Sequence, residues 1–521
     1  MVGNKIVLIQ PEIKAGSSLG VRKTPASIQH LGGQLQSEGF NVFLKHEPVT
    51  EGLVRSIIDT GTNAVGISTM TSNFREGEKL AFMLKQADPL LTIIIGGWHP
   101  SGCARSYLSG QESESINEVL SPNTPFDLMV FGEGELVLPE ILRCLSNGRS
   151  IDFPGVGIFK DGRIKITGPV TVQLDSVADP IWGSLDINSY RDLRSGALDL
   201  SIHTQRGCPW GCGYCSTPIV SGKALRSLSI EKVIAQLIEV AEKFKPQVIT
   251  FTNEDPLLNL SYFRELVARL NMINFSQRYG VSIDIFASIV DIHRLMSEPK
   301  YQGMVDEIKN AGISSFTIGI ESFNPKILRK YGKLAMITAT MTREERSRFK
   351  SLDEKTQDAM LVKHYFDRVR AAITFSQQHG ILCVGDYMIG NPGETTEEVL
   401  RGFSMFSAIK GLHVAYIPQF TPFPGTQIWS ECYPDVKRID GKIAWELFDA
   451  SHSVYSSGMP ENLREMLEVE FYTSERYLSD MHIAINAGFL PSQFFKNRFD
   501  FMQRTFGNSE KLDAILRSLQ S

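Results

Sequence analysis

The chain has 521 residues, of which 42% are hydrophobic and 21% are charged, and its formal net charge is −5. This length predicts about three domains of ordinary globular composition. The acidic balance argues against a nucleic-acid-binding protein, because phosphate binding needs a basic surface. The sequence has no run of about 18 apolar residues, so it predicts no transmembrane helix. The short apolar run near the N-terminus predicts a strand and not a secretory signal. We therefore expect a cytoplasmic protein that does not bind nucleic acid and does not span a membrane.

Residues 1–145 alternate short apolar runs with amphipathic segments. The sequence predicts a first helix at residues 25–38 and strands at residues 5–10, 41–44, 64–68, 91–95 and 126–131. Continuous apolar strands between helices are typical of a parallel sheet that is buried on both faces. We expect a Rossmann-like, doubly wound α/β domain that binds its ligand at the carboxyl ends of the strands.

A second α/β series follows residues 146–199, which are predicted to be a connector because they are rich in Gly, Asp and Pro. Its strands are predicted at residues 201–204, 248–252, 281–286, 315–320, 381–389 and 414–419. Six such units indicate a partial (β/α)6 barrel of the TIM type over residues 200–434. The active site of such a barrel lies at the C-terminal ends of its strands.

Two further segments depart from the α/β pattern. Residues 331–365 carry two capping-box patterns, Thr342 with Glu345 and Ser351 with Glu354, and predict a helical insertion that forms either a lid or a pair of surface helices. Residues 435–521 predict a mainly helical C-terminal cap. Its aromatic residues, among them Trp445, His452, Tyr455 and those at 494–501, either close a substrate pocket or pack against one another.

Three of the seven cysteines, Cys208, Cys212 and Cys215, lie within eight residues directly after the first barrel strand. A [4Fe–4S] cluster normally takes four thiolates, so three leave one iron open for an exogenous ligand. Zinc is the competitor, but a structural zinc site needs four closed ligands, and no fourth Cys or His stands at a suitable spacing nearby. The pattern therefore favours an iron–sulfur cluster.

This C-x3-C-x2-C spacing, with an aromatic residue before the last cysteine and a barrel behind it, resembles the radical S-adenosylmethionine (SAM) superfamily over residues 200–430. Segments in the expected order follow the second, fourth, fifth and sixth barrel strands, the last of them the turn at residues 421–426. The resemblance implies that SAM binds the open iron and, after reduction by an external donor of the flavodoxin or ferredoxin type, is cleaved to a 5′-deoxyadenosyl radical. The SAM-binding residues that it implies are Tyr214, Asn253, Glu254, Glu321, Ser322 and Gly390.

The first domain resembles the cobalamin-binding domain of corrinoid proteins, on segments that follow its third, fourth and fifth strands. The cobalamin-binding residues that this resemblance implies are Ser68, Thr69, Met70, Thr71, Gly96, Gly97, Trp98, His99, Gly132, Glu133, Gly134 and Glu135. Members with a histidine below the cobalt carry D-x-H-x-x-G, of which only His30 and Gly33 stand here. A helix starting after Gly33 would be very short, so we expect His30 to lie inside the first helix.

Together these resemblances imply a cobalamin-dependent radical SAM methyltransferase. It would transfer a methyl group from methylcobalamin to a carbon radical of a small metabolite or natural-product intermediate. The alternative is an enzyme of the same architecture, with or without bound cobalamin, that catalyses a ring rearrangement, a cyclisation or a C–C coupling. A corrinoid or redox sensor would leave the SAM-site segments without a purpose, and a methylthiotransferase needs three more cysteines where residues 1–145 offer only Cys103 and Cys144.

Overall fold

The computed structural model describes residues 4–12, 23–183, 185–192, 196–252, 254–455 and 458–486. Seven strands form its first sheet, in the order β2-β1-β3-β4-β5-β6-β7. They are β1 (Lys5–Ile9), β2 (Asn41–Lys45), β3 (Ala64–Ser68), β4 (Thr92–Gly96), β5 (Leu128–Val130), β6 (Val156–Lys160) and β7 (Arg163–Ile166). The first five strands pair in parallel and the last two are antiparallel. The five predicted parallel strands are confirmed, and β6 and β7 extend the same sheet from the range predicted to be a connector.

Both faces of the first sheet are covered, as a doubly wound fold requires. Ile6 and Leu8 of β1 pack into one core with residues of the first helix, whereas Val7 and Ile9 pack into a second core with residues of the next two helices. The alternation of side chains along a strand produces this division. The strand order reverses between β1 and β3, and ligands bind at such a switch point.

The second sheet is an open barrel of six parallel strands in the order β15-β14-β13-β12-β11-β8. Its strands are β8 (Asp199–Ile202), β11 (Val248–Phe251), β12 (Ser282–Ala287), β13 (Ile313–Glu321), β14 (Leu382–Tyr387) and β15 (Val414–Tyr416). Among the described residues β8 and β15 do not pair, so the predicted partial barrel is confirmed. Two short antiparallel ladders complete the strands: β9 (Gln205–Arg206) with β10 (Arg226–Ser227), and β16 (Arg438–Ile439) with β17 (Lys442–Ile443).

Helices cover both sheets. In the first domain they are α1 (Ala26–Ser37), α2 (Glu51–Ile58), α3 (Phe74–Ala87), α4 (Trp98–Leu108), α5 (Glu114–Val119) and α6 (Val137–Asn147). In the barrel they are α7 (Thr217–Val220), α8 (Ile230–Phe244), α9 (Leu260–Met272), α10 (Phe275–Tyr279), α11 (Ile289–Ser297), α12 (Met304–Asn310), α13 (Pro325–Lys330), α14 (Lys333–Ala339), α15 (Arg343–Ser351), α16 (Glu354–Gln378) and α17 (Thr396–Ser407). The chain continues with α18 (Trp429–Cys432), α19 (Leu463–Tyr472) and α20 (Glu475–Asn486). No helix in these ranges is both long and apolar enough to cross a lipid bilayer.

The predicted insertion is helical, but one of its two expected caps is wrong. Thr342 and Glu345 form the capping box at the start of α15. Ser351 is instead the last residue of α15, and Asp353 caps α16 because its carboxylate accepts a hydrogen bond from the Thr356 amide at 3.1 Å. The first half of this insertion reaches the candidate site, while buried residues of α16 join the core of the barrel.

Candidate active site

The three clustered cysteines lie on one excursion of the chain, residues 207–225, which we call the cluster loop. The β9–β10 ladder closes its base, and the Cys208 amide donates to the carbonyl of Gly222 at 3.3 Å just above that ladder. Farther out, the Gly213 amide donates to the Tyr331 carbonyl at 3.1 Å. All three cysteines are half-buried free thiols. The loop is therefore closed on itself at its base and bound to the segment after β13 between its second and third cysteines.

Burial and mutual charge repulsion raise the pKa of the three thiols, so their thiolate forms are disfavoured unless a cation lies nearby. Burial raises the pKa of Cys208 to about 12, and the charges of the other two cysteines and of Glu254 add to that increase. Burial likewise raises the pKa of Cys212 and Cys215, although the Lys333 ammonium opposes the increase at Cys212. Thiolates are the ligands of iron–sulfur clusters, so a bound cationic cluster would favour the deprotonated form that the protein surroundings alone disfavour.

The loop does not resemble a site for a single metal ion. In the ranges given above, no group of three or more His, Cys, Asp or Glu side chains converges on one position where an ion could be held. A tetrahedral zinc site needs such convergence, whereas a cluster of several irons takes one thiolate on each iron. The donor set, three thiols on one glycine-rich loop, fits a [4Fe–4S] cluster with one open iron.

Tyr214 links the cluster loop to the end of β13. Its hydroxyl donates to Glu321 Oε1 at 2.6 Å, and Lys333 Nζ donates to the same oxygen at 3.1 Å and to the Gly319 carbonyl at 3.0 Å. The Glu321 backbone has a φ of +67°, a left-handed conformation that is costly for a residue with a side chain. A carboxylate is thus held at the carboxyl end of a barrel strand, next to the cysteines.

Lys333 is a site residue that sequence reasoning missed. Its side chain is 6% exposed, and although burial lowers its pKa, the charge of Glu321 and the neighbouring Tyr365 and Cys212 raise the pKa overall. The residue begins α14 in the insertion, 12 positions after Glu321. The only signal in the sequence was its place in a charged stretch, which gave no partner.

Glu254 lies beside the cluster loop, as expected for a residue after the second barrel strand. Burial raises its pKa, while hydrogen bonds from its own amide and from the Gly207 amide oppose that increase. Its charge in turn contributes to raising the pKa of Cys208 and Cys215. Glu254 is thus close enough to both the loop and the barrel edge to act on a ligand of the cluster.

Of the remaining residues predicted to contact SAM, two shape the local backbone and one is outside the described residues. The Ser322 hydroxyl is buried and accepts a hydrogen bond from the Asn324 amide at 2.9 Å. Gly390 forms a turn with a φ of +77°. Asp255, a neighbour that could replace Glu254, caps a helical turn and accepts from the Ser288 amide at 2.7 Å. Asn253 lies outside the described residues.

The first predicted cobalamin segments come together at the carboxyl edge of β3 and β4. The Ser68 hydroxyl is 2.8 Å from that of Ser27 on α1, and the Thr69 amide donates to the Gly96 carbonyl at 2.9 Å. Gly97 has a φ of +102°, and a Cβ there would lie 2.6 Å from the Thr69 carbonyl oxygen. Glycine is therefore required at this position by the packing of the two strand ends.

The other residues of these segments differ widely in exposure. Thr71 is buried, whereas Met70 and Trp98 are 44% and 37% exposed and leave apolar surface open at this edge. His99 is fully buried, with its ring centroid 4.2 Å from that of Phe74 and 4.7 Å from that of Trp445. Burial, helped by the charge of Arg75, lowers the pKa of His99 to about 3. His99 is thus a neutral, buried residue that packs against two aromatic rings.

The acidic residues after β5 contact the barrel. Glu133 pairs with Arg226 at 2.7 Å, and Glu135 pairs with Arg206 at 2.7 Å. Between them Gly134 packs against Leu31 of α1, and Gly132 packs against Val170. The sequence contained both arginines, but no periodic pattern connects them to acids about 70 to 90 positions away.

The turn after β15 joins the barrel to the first domain. The Thr426 carbonyl accepts a hydrogen bond from Gln111 at 2.8 Å. The indole nitrogens of Trp429 and Trp445 donate to Glu112 at 3.1 Å and to Glu118 at 2.7 Å. We call this contact the tryptophan seam. Trp445 therefore packs on the first domain.

The structure also describes His30 and Tyr455, for which the sequence made predictions. His30 lies inside α1, as predicted, with its ring centroid 5.7 Å from that of His203. Burial, together with the charge of Arg206, lowers the pKa of His30 to about 3. Tyr455 stacks edge-on against Phe420 with the ring centroids 6.2 Å apart, and residues 494–501 lie outside the described residues.

Comparison with known families identifies two domains in the chain. Residues 202–340 match the model of the radical SAM superfamily, and residues 15–142 match the B12 binding domain. These two domains imply a [4Fe–4S] cluster, SAM and cobalamin as cofactors.

Several relatives align with most of this chain. An uncharacterized methyltransferase of Pyrococcus horikoshii is 23% identical over 82% of this chain and 82% of its own length. An anaerobic magnesium-protoporphyrin IX monomethyl ester cyclase of Rubrivivax gelatinosus is 22% identical over 84% of this chain and 71% of its own length. The structure of the radical SAM methyltransferase TsrM from Kitasatospora setae, with tryptophan and a SAM analogue bound, shares the fold with a TM-score of 0.64 at 15% identity, over 99% of both chains. The chain therefore contains a radical SAM domain and a B12 binding domain, the two domains that a cobalamin-dependent radical SAM enzyme combines.

Proposed function

We propose that this chain methylates a carbon atom of a small molecule, with SAM, a [4Fe–4S] cluster and cobalamin as its cofactors. One observation carries the proposal. The turn after β5 of the B12-binding domain directly contacts Arg206, which adjoins the cluster loop, through Glu135 at 2.7 Å. The two cofactor-binding regions are therefore neighbours, which methyl transfer to a carbon radical requires.

When bound, SAM on the reduced cluster supplies a carbon radical on the substrate, and methylcobalamin supplies the methyl group. The chain's own contribution is to hold and orient these groups. Cys208, Cys212 and Cys215 are the cluster ligands that we propose. The carboxylate of Glu321, fixed by Tyr214 and Lys333 at the end of β13, and the carboxylate of Glu254 are positioned to bind the amino or hydroxyl groups of SAM.

The cobalamin contacts that we retain are those at the carboxyl edge of β3 and β4. Ser68 and Gly97 lie at this edge, and Met70 and Trp98 keep exposed apolar surface there. An exposed apolar patch at the ligand edge of a doubly wound sheet is consistent with a large cofactor. His99 is excluded from this set because it is fully buried. We also propose a flavodoxin or ferredoxin as the one-electron donor.

A cyclisation is the second candidate reaction, because the cyclase relative aligns over 84% of this chain. The two reactions differ in the fate of the SAM methyl group. Methylation moves it to the product, whereas cyclisation leaves it on the methionine that SAM cleavage releases. Isotope labelling of that methyl group therefore separates them.

The test is anaerobic reconstitution with iron and sulfide, followed by incubation with methyl-deuterated SAM, hydroxocobalamin, reduced flavodoxin and a small-molecule extract of the source cells, so that SAM is the only source of methyl groups for the cobalamin. We expect 5′-deoxyadenosine together with a product that carries the deuterated methyl group. Cys208→Ala should abolish both products, and Cys144→Ala, a buried cysteine of α6, should retain them. SAM cleavage without any labelled product would favour the cyclase reaction, and no cleavage by the reconstituted wild-type protein would refute both.

A further inference from the structure

Four buried charged side chains join the B12-binding domain to the base of the cluster loop. Glu133, Glu135, Arg206 and Arg226 have side chains that are 2%, 5%, 12% and 10% exposed. We call this group the interdomain clamp. It contains two negative and two positive charges, so it is neutral as a whole.

The contacts within the interdomain clamp are short and shared. Glu133 binds Arg226 through both oxygens, at 2.7 and 2.8 Å, and its Oε1 is 3.5 Å from Arg206. Glu135 Oε1 is 2.7 Å from Arg206. Glu133 also accepts a hydrogen bond from the Val172 amide at 2.6 Å. Glu133 therefore contacts both arginines, and Glu135 contacts one.

The two arginines are the base of the cluster loop. Arg206 ends β9 and Arg226 begins β10, and the two residues face each other in the antiparallel ladder that closes the loop. Like charges directly opposite each other in a ladder destabilise it. Glu133 removes that repulsion because it lies against both guanidinium groups. Without its charge, the two arginines would repel each other across the base of the loop that carries the cysteines.

We propose that Glu133 and Glu135 are positioning residues for the iron–sulfur cluster and not ligands of cobalamin. They fix the base of the cluster loop to the turn after β5, and so set the position of the three cysteines relative to the B12-binding domain. The proposal rests on the proposed function in that it assumes a cluster on this loop. It assigns to the barrel two residues that the sequence alone associates with the cobalamin site.

The test compares Glu133→Gln with a matched control, Glu114→Gln. Glutamine keeps the size of the side chain and removes its charge. Glu114 also joins the first domain to a later segment, through an ion pair with Arg438, but that pair is not part of the loop base. Circular dichroism and thermal unfolding establish that each variant is folded, and Glu135→Gln, which loses only a contact with Arg206, provides a milder variant.

The first readout needs no cluster. In apoprotein, we expect iodoacetamide to alkylate the cysteines at 208, 212 and 215 about tenfold faster in Glu133→Gln than in wild type, because the base of the loop opens more often. Glu114→Gln should alkylate at the wild-type rate. In Glu133→Gln combined with Arg226→Gln, the repulsion across the ladder is gone, so the rate should return part of the way to wild type. A role in general stability predicts no such rescue.

The second readout uses the reconstituted protein. We expect Glu133→Gln to bind cobalamin like wild type but to give an altered electron paramagnetic resonance spectrum of the reduced cluster when SAM is added. Unchanged alkylation and an unchanged spectrum would overturn the proposal. Loss of cobalamin with a wild-type loop would overturn it as well, and would assign the two acids to cobalamin instead. Failure of the wild-type protein to cleave SAM would refute the proposed function, while the alkylation rates would still decide the role of the interdomain clamp.

Discussion

Gly33→Ala should destabilise the protein even though alanine is the better helix former. Gly33 lies in the interior of α1, where replacing glycine by alanine gains roughly 0.5–1 kcal/mol. A Cβ at this position, however, would lie 1.9 Å from the carbonyl oxygen of Asp179. Because that oxygen belongs to the backbone, the connector would have to move away from α1 by more than an ångström.

The hydrogen bonds between α1 and the connector set the size of the loss. The Ile181 amide donates to the Gln29 carbonyl at 3.1 Å, and the Ala178 amide donates to the Gln34 side chain at 2.8 Å. Losing both costs about 2 kcal/mol, and overpacking costs roughly 1–3 kcal/mol more. After the gain in helix propensity is subtracted, we expect the free energy of unfolding to fall by about 2–4 kcal/mol.

The assay is urea unfolding of the apoprotein, with Gly52→Ala as the control. Gly52 is an exposed residue of α2, and a Cβ there would meet its nearest atom at 3.7 Å, an ordinary contact. We expect that control to raise the free energy of unfolding by about 0.5 kcal/mol, and so to shift the urea midpoint upward. If Gly33→Ala shifts the midpoint upward as well, the close packing of α1 on the connector is refuted.

Three further changes test the candidate site and its surroundings. Lys333→Met should lower the free energy of unfolding by about 3–5 kcal/mol, because it leaves the carboxylate of Glu321 buried without its cationic partner. The measurement is a urea titration, and a loss below about 1 kcal/mol would contradict the pairing. Tyr214→Phe should lower the free energy of unfolding by about 1.5–3 kcal/mol. A double-mutant cycle with Lys333→Met should show coupling, since both side chains donate to one oxygen of Glu321. Strict additivity of the two changes would argue against the shared contact. Burial raises the pKa of Glu394 from 4.5 to about 7, so this residue's contribution to stability should be complete below about pH 4.5 and should be lost as the pH rises through 7. Glu394→Gln should remove that decline from the pH dependence of the urea midpoint, and an identical decline in the variant would refute the assignment.

The sequence predicted the elements that periodicity determines. All eleven predicted parallel strands exist, and the amphipathic segment at residues 230–244 forms α8 with the predicted bounds. The clustered cysteines and Glu321 stay predictions as site residues; the first came from a fixed spacing after one strand, and the second from a family resemblance at the end of another. Local patterns can be predicted from the sequence because they depend on residues that are close together in the chain.

What the sequence did not predict depends on contacts between distant segments. Lys333 meets Glu321 only because α14 folds back over the end of β13. Arg226 meets Glu133 across 93 positions of the chain. The wrong cap at Ser351 has a local cause, since Asp353 two positions later competes for the same role and a carboxylate caps at least as well as a hydroxyl.

The tryptophan seam limits how freely this architecture can be recombined. Trp429 and Trp445 have no exposed surface, and their indole nitrogens bind acids of the first domain. A truncated barrel, or a chimera with the B12-binding domain of a relative, would present two bare indoles to water unless the donor supplied matching acids near positions 112 and 118. Exchange between such enzymes therefore has to transfer both surfaces at once, and a library of hybrid enzymes should place its junctions so that residues 111–118 and residues 426–448 come from the same parent.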